Sequence, residues 1–202
     1  MSQGAREITV AVTGASGSAC ARRLLQALAS HPDVAAVNAV MSSSALVVAR
    51  EELEAPGASP AAIRELMTGD AGPGKVRWFD EGDVGASIAS GSHLMDGTAV
   101  VPCSTGTLGT IASGSSRNLI HRAAEVALKE RRRLILGVRE CPYSVIHLEN
   151  MLAVTRAGAI VLPITPAFYN HPRSIDEVVD QYVGRVLDHL GLTHKLGRRW
   201  RS

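Results

Sequence analysis

The sequence predicts an α/β fold, a three-layer αβα sandwich built on a parallel sheet, and three observations predict it. Short apolar runs alternate with amphipathic stretches along the chain. The first two runs are joined through a helix, which requires them to lie parallel, with a right-handed crossover. Polar turns then follow five of the runs directly: Thr13 to Gly17, Ser42 to Ser44, Cys103 to Thr107, Arg139-Glu140 and Thr165 to Tyr169. Ligands of doubly wound sheets sit outside the carboxyl ends of the strands, so these five loops are expected to converge on one crevice.

The elements follow in order. Ile8 to Val12 reads as a strand, Thr13-Gly14-Ala15-Ser16-Gly17 as a tight turn, and the next stretch as a helix carrying Leu24, Leu25 and Leu28 on one side. Val37 to Met41 is the second strand, followed by Ser42-Ser43-Ser44 and a helix through Glu52. Ala55 to Gly74, rich in Ala, Gly and Pro around a short helix at Ala61 to Met67, is a surface excursion and not a boundary. Later strands are expected at Thr98 to Val101, Leu134 to Val138 and Ala159 to Pro163. Later helices are expected at Leu119 to Arg131, Ser144 to Arg156 and Ser174 to Leu190. With no linker or repeat, residues 1–202 are expected to form one domain with a short C-terminal tail from about 191.

Composition narrows the class. The chain has 202 residues, 46% hydrophobic and 20% charged, enough apolar material for one sizeable core. A formal charge of +2 gives no general nucleic-acid or membrane surface. Of 21 basic residues only Lys75, Lys129 and Lys195 are lysines. That excess of arginine suits forked recognition of phosphates and carboxylates, although nucleotide composition bias produces the same excess. Cys20, Cys103 and Cys141 are odd in number without CxxC spacing, which fits a reducing, cytoplasmic compartment. No stretch has the uninterrupted apolar length of a membrane span.

The motifs point to an anion. In Thr13 to Gly17 the glycines let backbone amides approach a ligand, with a helix N-terminus behind them; an ordinary capped turn reads the same way. Pro102 to Thr107 offers hydroxyls and amides for a phosphate or flavin edge, or simply a helix cap. Ala89-Ser90-Gly91-Ser92 has similar donors but precedes a strand, so it is a loop that could close over a ligand. Arg122 and Lys129, seven residues apart, share a helix face and could aim at one anion, unless Glu125 and Glu130 simply neutralise a solvated face. Arg139 could bind phosphate. Glu140 beside it could move a proton, or the two could form a structural pair. Tyr169 could bind phosphate through its hydroxyl, and Trp200 could cap a site or stabilise developing cationic charge. No histidine arrangement forms a zinc motif, so no metal site is expected.

The order of these pieces resembles the flavin prenyltransferase family, UbiX type, from Ile8 to Trp200. The resemblance rests on Thr13 to Gly17, Ala89 to Ser92, Pro102-Cys103-Ser104 with Thr107-Leu108, Arg122-Ala123-Ala124, Leu128 to Arg132, Arg139-Glu140, His147 to Met151 and Pro166 to Tyr169. It implies a Rossmann-like (flavodoxin-like) sheet. It also implies an enzyme that joins a dimethylallyl group from dimethylallyl phosphate to N5 and C6 of reduced FMN, without a metal, supplying prenylated FMN to a UbiD-type decarboxylase. By resemblance, Gly14, Ala15, Ser16, Ser42, Ser104, Thr105, Gly106, Thr107 and Arg139 hold FMN, with Arg122 nearby. Lys129, Arg139, Tyr169 and Arg185 meet the substrate phosphate. Glu140 is the proton-transfer candidate, Ser16 and Glu52 support catalysis, and Trp200 is carried with them; Glu51 adjoins Glu52 and leaves that assignment open. A homo-oligomer of trimers, up to a dodecamer, is implied, with sites at subunit contacts. Two positions depart from the family pattern, Cys20-Ala21 and Arg117-Asn118.

Rival readings lack their signatures. A short-chain dehydrogenase needs further glycines where Ser18 and Cys20 stand, and a Tyr-x-x-x-Lys that is absent. The motifs of FMN-dependent cysteine decarboxylases are also absent. A carrier or accessory subunit holding prenylated FMN for a decarboxylase is a further alternative, which Lys129, Glu140, Tyr169 and Arg185 speak against.

Overall fold

A computed structural model describes residues 5–72 and 74–197. One six-stranded sheet has the order β3-β2-β1-β4-β5-β6 and every paired strand is parallel. Its strands are β1 (Arg6–Val12), β2 (Val34–Met41), β3 (Val76–Phe79), β4 (Gly97–Cys103), β5 (Arg133–Val138) and β6 (Ile160–Val161). The helices are α1 (Ser18–Ala29), α2 (Ser43–Glu52), α3 (Pro60–Thr68), α4 (Thr105–Ala112), α5 (Leu119–Lys129), α6 (Val145–Arg156) and α7 (Ile175–Leu190). The chain moves outward from β1 to β2 and β3, then returns to β4 on the other side of β1. The switch point of this Rossmann-like sheet therefore lies between β1 and β4.

Two apolar cores follow from the alternation of side chains along the strands. Ile8, Val10 and Val12 face α1 and α7, where Leu24, Leu25, Leu28, Val183 and Leu187 are buried with them. Burial stabilises by about 1.5–3 kcal/mol for each such leucine. Ala11, Val100, Leu136 and Val138 face the other way, toward Leu108, Ile120, Ala124 and Ala127. Cys20 and Ala21 are buried in the first core, so this departure from the family pattern is a matter of packing behind the turn. Asn118 caps α5, its Oδ1 accepting from the His121 amide at 3.1 Å.

Several expected boundaries move. β4 runs two residues past Val101, and its register with β5 shifts between Val100 and Cys103, where Pro102 has no amide to donate. The expected α5 end at Arg131 falls at Lys129, because Arg131 has a φ of 54°. The last expected strand, Ala159 to Pro163, contracts to Ile160–Val161, although Leu162 and Ile164 still donate to Leu136 and Val138. Ser144 and Ser174 are caps rather than helical residues. His147 completes the capping box of α6, its Nδ1 accepting from the Ser144 amide. Strand β3 and helix α4 are additional to the expected elements.

Candidate active site

The turns after β1, β2, β4 and β5 are tied to one another at the switch point. The Thr13 hydroxyl donates to the Pro102 carbonyl at 2.9 Å and accepts from the Ser104 amide at 2.8 Å. The Arg139 amide reaches the Cys103 carbonyl at 3.3 Å. A Cβ on Gly14 would stand 2.5 Å from that of Ser44, so glycine is what lets the β1 turn lie against the start of α2. Gly17 has a φ of 131°, a conformation L side chains rarely adopt.

The helix N-termini at this edge differ in what fills them. Below α1, the Glu52 carboxylate accepts from the Ser18 amide at 2.6 Å and from the Gly17 amide at 3.1 Å. Burial pushes the Glu52 carboxyl up, but bonds from the Ser16 and Ser18 side chains and from the two amides outweigh it and hold it below its ordinary value. Between the adjacent acids, then, Glu52 is the one at the turn. At α2, Ser42 accepts from the Ala45 amide at 3.1 Å and Glu81 from the Ser43 amide at 2.7 Å. At α4 the described residues supply only the cap: Ser104 Oγ accepts from the Thr107 amide at 3.3 Å and donates to the Thr107 hydroxyl at 3.1 Å. The Thr105 and Gly106 amides have no partner among the described residues, and a Cβ on Gly106 would meet nothing within 4 Å. An anion is stabilised at such an open helix start.

Arg139 and Glu140 stand at the end of β5 beside this turn. The Arg139 side chain is exposed and bonds nothing among the described residues, while Glu140 accepts from the Cys141 amide at 3.0 Å. The alternative of an Arg139–Glu140 structural pair is therefore absent among the described ion pairs. Cys103 is fully buried, which pushes its thiol up to about 12 and removes it as a nucleophile.

The convergence of five loops is only partly what the fold builds. Ile164, before the fifth loop, lies against Gly17, but Tyr169 opens into a separate cleft of about 760 Å³ shared with Arg185 of α7. Arg185 donates to Asp188 at 2.7 Å there. Lys129 and Arg122 lie elsewhere. Helix α5 runs away from the carboxyl edge, and Lys129 precedes the start of β5 by four residues. The length of β5 puts it about 20 Å from Arg139. Lys129 pairs with Glu130. Arg122 pairs with Glu125 at 3.1 Å and donates to the Ala89 carbonyl at 3.0 Å. The Ala89 to Ser92 loop, read from the sequence as one that could close over a ligand, is tied by that bond and by one from Arg132 to the Gly91 carbonyl, with a second from Arg132 to the His93 carbonyl just beyond it. Trp200 lies outside the described residues. Glu81, which anchors α2 and Asn118, carries no local sequence signal; it acts across 38 and 37 residues.

A family model described as Flavoprotein matches residues 1–187. The chain is 44% identical over 194 residues to the flavin prenyltransferase UbiX of Methanocaldococcus jannaschii, covering 96% of this chain and 98% of the relative. It is 46% identical to that of Aquifex aeolicus, covering 98% of this chain and 100% of the relative. The chain belongs to the flavin prenyltransferase UbiX family. The solved structures agree with this membership. AnUbiX (PadA1) in complex with FMN and dimethylallyl pyrophosphate superposes with a TM-score of 0.85 at 43% identity, covering 98% of both chains. A dodecameric FMN-dependent UbiX-like decarboxylase from Escherichia coli O157:H7 gives 0.84 at 43% identity, covering 97% of this chain and 100% of the other. Among the described residues no group of His, Cys, Asp or Glu is arranged to hold a metal ion, and no helix is long and apolar enough to cross a membrane.

Proposed function

We propose that this protein joins a dimethylallyl group from dimethylallyl phosphate to N5 and C6 of reduced FMN. The observation that carries the reading is the open start of α4, set beside Arg139 and Glu140 at the switch point, in a chain of this family. That donor set fits FMN. The unengaged amides of Thr105 and Gly106, the space over Gly106 and the hydroxyls of Ser42, Ser104 and Thr107 suit a phosphate and a flavin edge, with Gly14, Ala15 and Ser16 across the crevice. Reduced FMN supplies the nucleophilic ring atoms when bound.

The protein's part is to bind, neutralise and move protons. Arg139 balances phosphate charge, and Glu140 beside it holds or takes the proton released as the second bond forms. Tyr169 and Arg185, sharing one cleft, meet the phosphate of the prenyl donor. Lys129 and Arg122 stand on α5 and do not line that cleft; in this reading they complete the site of a neighbouring copy in a homo-oligomer. The exposed Val145, Ile146, Leu148 and Leu152 of α6 support such an assembly. The product is prenylated FMN, passed in the cytoplasm to a UbiD-type decarboxylase.

Purified protein given reduced FMN and either dimethylallyl phosphate or the diphosphate tests this by mass spectrometry. A flavin heavier by one prenyl unit is expected with at least one donor. Unmodified FMN with both donors, while a control enzyme turns over, overturns the reading.

A further inference from the structure

A second polar cluster lies at the opposite, amino-terminal edge of the sheet, on the face that α5 covers. Glu7 of β1 is its centre. Its Oε1 accepts from Asn38 Nδ2 at 2.6 Å and pairs with His93 Nε2 at 2.7 Å. Asn38, 1% exposed on β2, has no partner for its Oδ1 among the described residues. Burial pushes the Glu7 carboxyl up, but the bonds from Asn38 and His93 outweigh it, so an ionised carboxylate is kept in place by its two partners.

What these groups hold is the segment between Ala89 and β4. The Asp96 amide donates to the Glu7 carbonyl at 2.9 Å, and the Glu7 amide to Asp96 Oδ2 at 2.8 Å. The Thr9 hydroxyl donates to Met95 Sδ at 2.8 Å. From the other side, Arg132 forks across the segment, donating to the His93 carbonyl at 2.7 Å and the Gly91 carbonyl at 2.8 Å. On the outer surface of this strapped segment the hydroxyls of Ser90 and Ser92 lie 2.8 Å apart. A Cβ on Gly91 would stand 2.5 Å from Lys129 Nζ. Glycine at 91 thus lets the Lys129 ammonium lie against the loop together with the Glu130 carboxylate it pairs with, which an incoming anion would have to displace.

We infer that His93 and Glu7, with Arg132, are positioning residues for Lys129 and the Ser90–Gly91 loop as one anion-binding unit. This rests on the proposed role of Lys129 toward the donor phosphate. The three residues touch no substrate. They fix the height of the loop against the end of α5, and a shift of the loop moves Gly91 and its flanking hydroxyls relative to the Lys129 ammonium. The cluster is far from the switch point, so FMN binding is separate from it.

Four variants of the full chain test the inference: His93→Leu, His93→Gln, Arg132→Gln and Lys129→Ala. Each is measured for kcat and KM toward dimethylallyl phosphate, competition by inorganic phosphate in the FMN-loaded protein, FMN affinity and melting temperature. His93→Leu and Arg132→Gln are expected to raise KM for the donor and weaken phosphate competition by about tenfold or more. FMN affinity stays at the wild-type value, and His93→Gln, which keeps a donor toward Glu7, restores most of the loss. Unchanged KM in both His93→Leu and Arg132→Gln, with Lys129→Ala impaired, overturns the positioning role alone. Unchanged KM in Lys129→Ala removes the reading beneath it. Parallel losses of FMN affinity and melting temperature in the two positioning variants also overturn it, because a merely structural role predicts them. If His93→Leu does not fold, Arg132→Gln decides, since it removes a surface fork and buries no charge.

Discussion

Helices α1 and α4 start side by side at the switch point, each after a central strand, and they treat their free amides in opposite ways. The start of α1 is filled from within by Glu52, whereas at the start of α4 the Thr105 and Gly106 amides have no partner among the described residues. Helix α2 sides with α1, its Ser43 amide being taken by Glu81. An anion supplied by the protein and an anion supplied by a ligand are alternatives at one helix end. The turn with the more familiar glycine pattern is therefore the one whose leading amides are already taken, and the plainer turn is the one we propose for a phosphate.

The difference can be broken or sharpened by substitution. The largest effect belongs to the α4 side, where Glu140→Gln is expected to slow prenyl transfer about a hundredfold or more while leaving FMN affinity near the wild-type value. Equal turnover of variant and parent in a stopped assay of product would remove Glu140 from proton transfer. Ser104→Ala deletes the α4 cap and its bond to Thr107. Fluorescence titration should show FMN affinity lowered about tenfold, alongside about 1 kcal/mol of lost stability.

On the α1 side the effect to measure first is on stability. Because the folded Glu52 carboxyl lies below its ordinary value of 4.5, its contribution is fully present above that value and is lost as pH falls through the lowered one. Glu52→Gln should therefore cost about 0.3–1 kcal/mol near neutral pH. Thermal melts of variant and parent should converge as the solution is acidified below the ordinary carboxylate range. A deficit that persists in acid would show that the loss is one of packing and not of charge at the helix start.

The strands closest to the centre were legible because their side chains are buried on both faces and read as apolar runs, as Val10 to Val12 and Leu134 to Leu136 do. Strand β3 was not legible. Val76 to Phe79 is a four-residue edge strand with no fully buried position, too short for a period. Helix α4 was hidden for a different reason. Two glycines and three threonines between Thr105 and Thr110 are poor helix formers, and its stability comes from burying Leu108 and Ile111 against neighbours. At the candidate site, the loops at strand ends were readable from fold logic. The Glu52 and Glu81 bonds were not, since each spans more than thirty residues. The spacing of Arg122 and Lys129 on one helix face was also readable, but not that α5 carries Lys129 away from the carboxyl edge. Only the strand order and the direction of α5 together reveal that.

The contrast between the two helix starts is tested most directly at Gly106. An added Cβ there meets nothing within 4 Å, so Gly106→Ala leaves the chain itself undisturbed and gains about 0.5–1 kcal/mol from helix propensity. Calorimetric titration with FMN, beside a melting curve of the flavin-free protein, separates the two effects. A melting temperature at or above that of the parent with FMN affinity lowered at least about tenfold is expected, because the methyl group would stand where the phosphate is proposed to approach the amides. Unchanged FMN affinity in a fully folded Gly106→Ala protein would contradict the assignment of the α4 start as the phosphate seat.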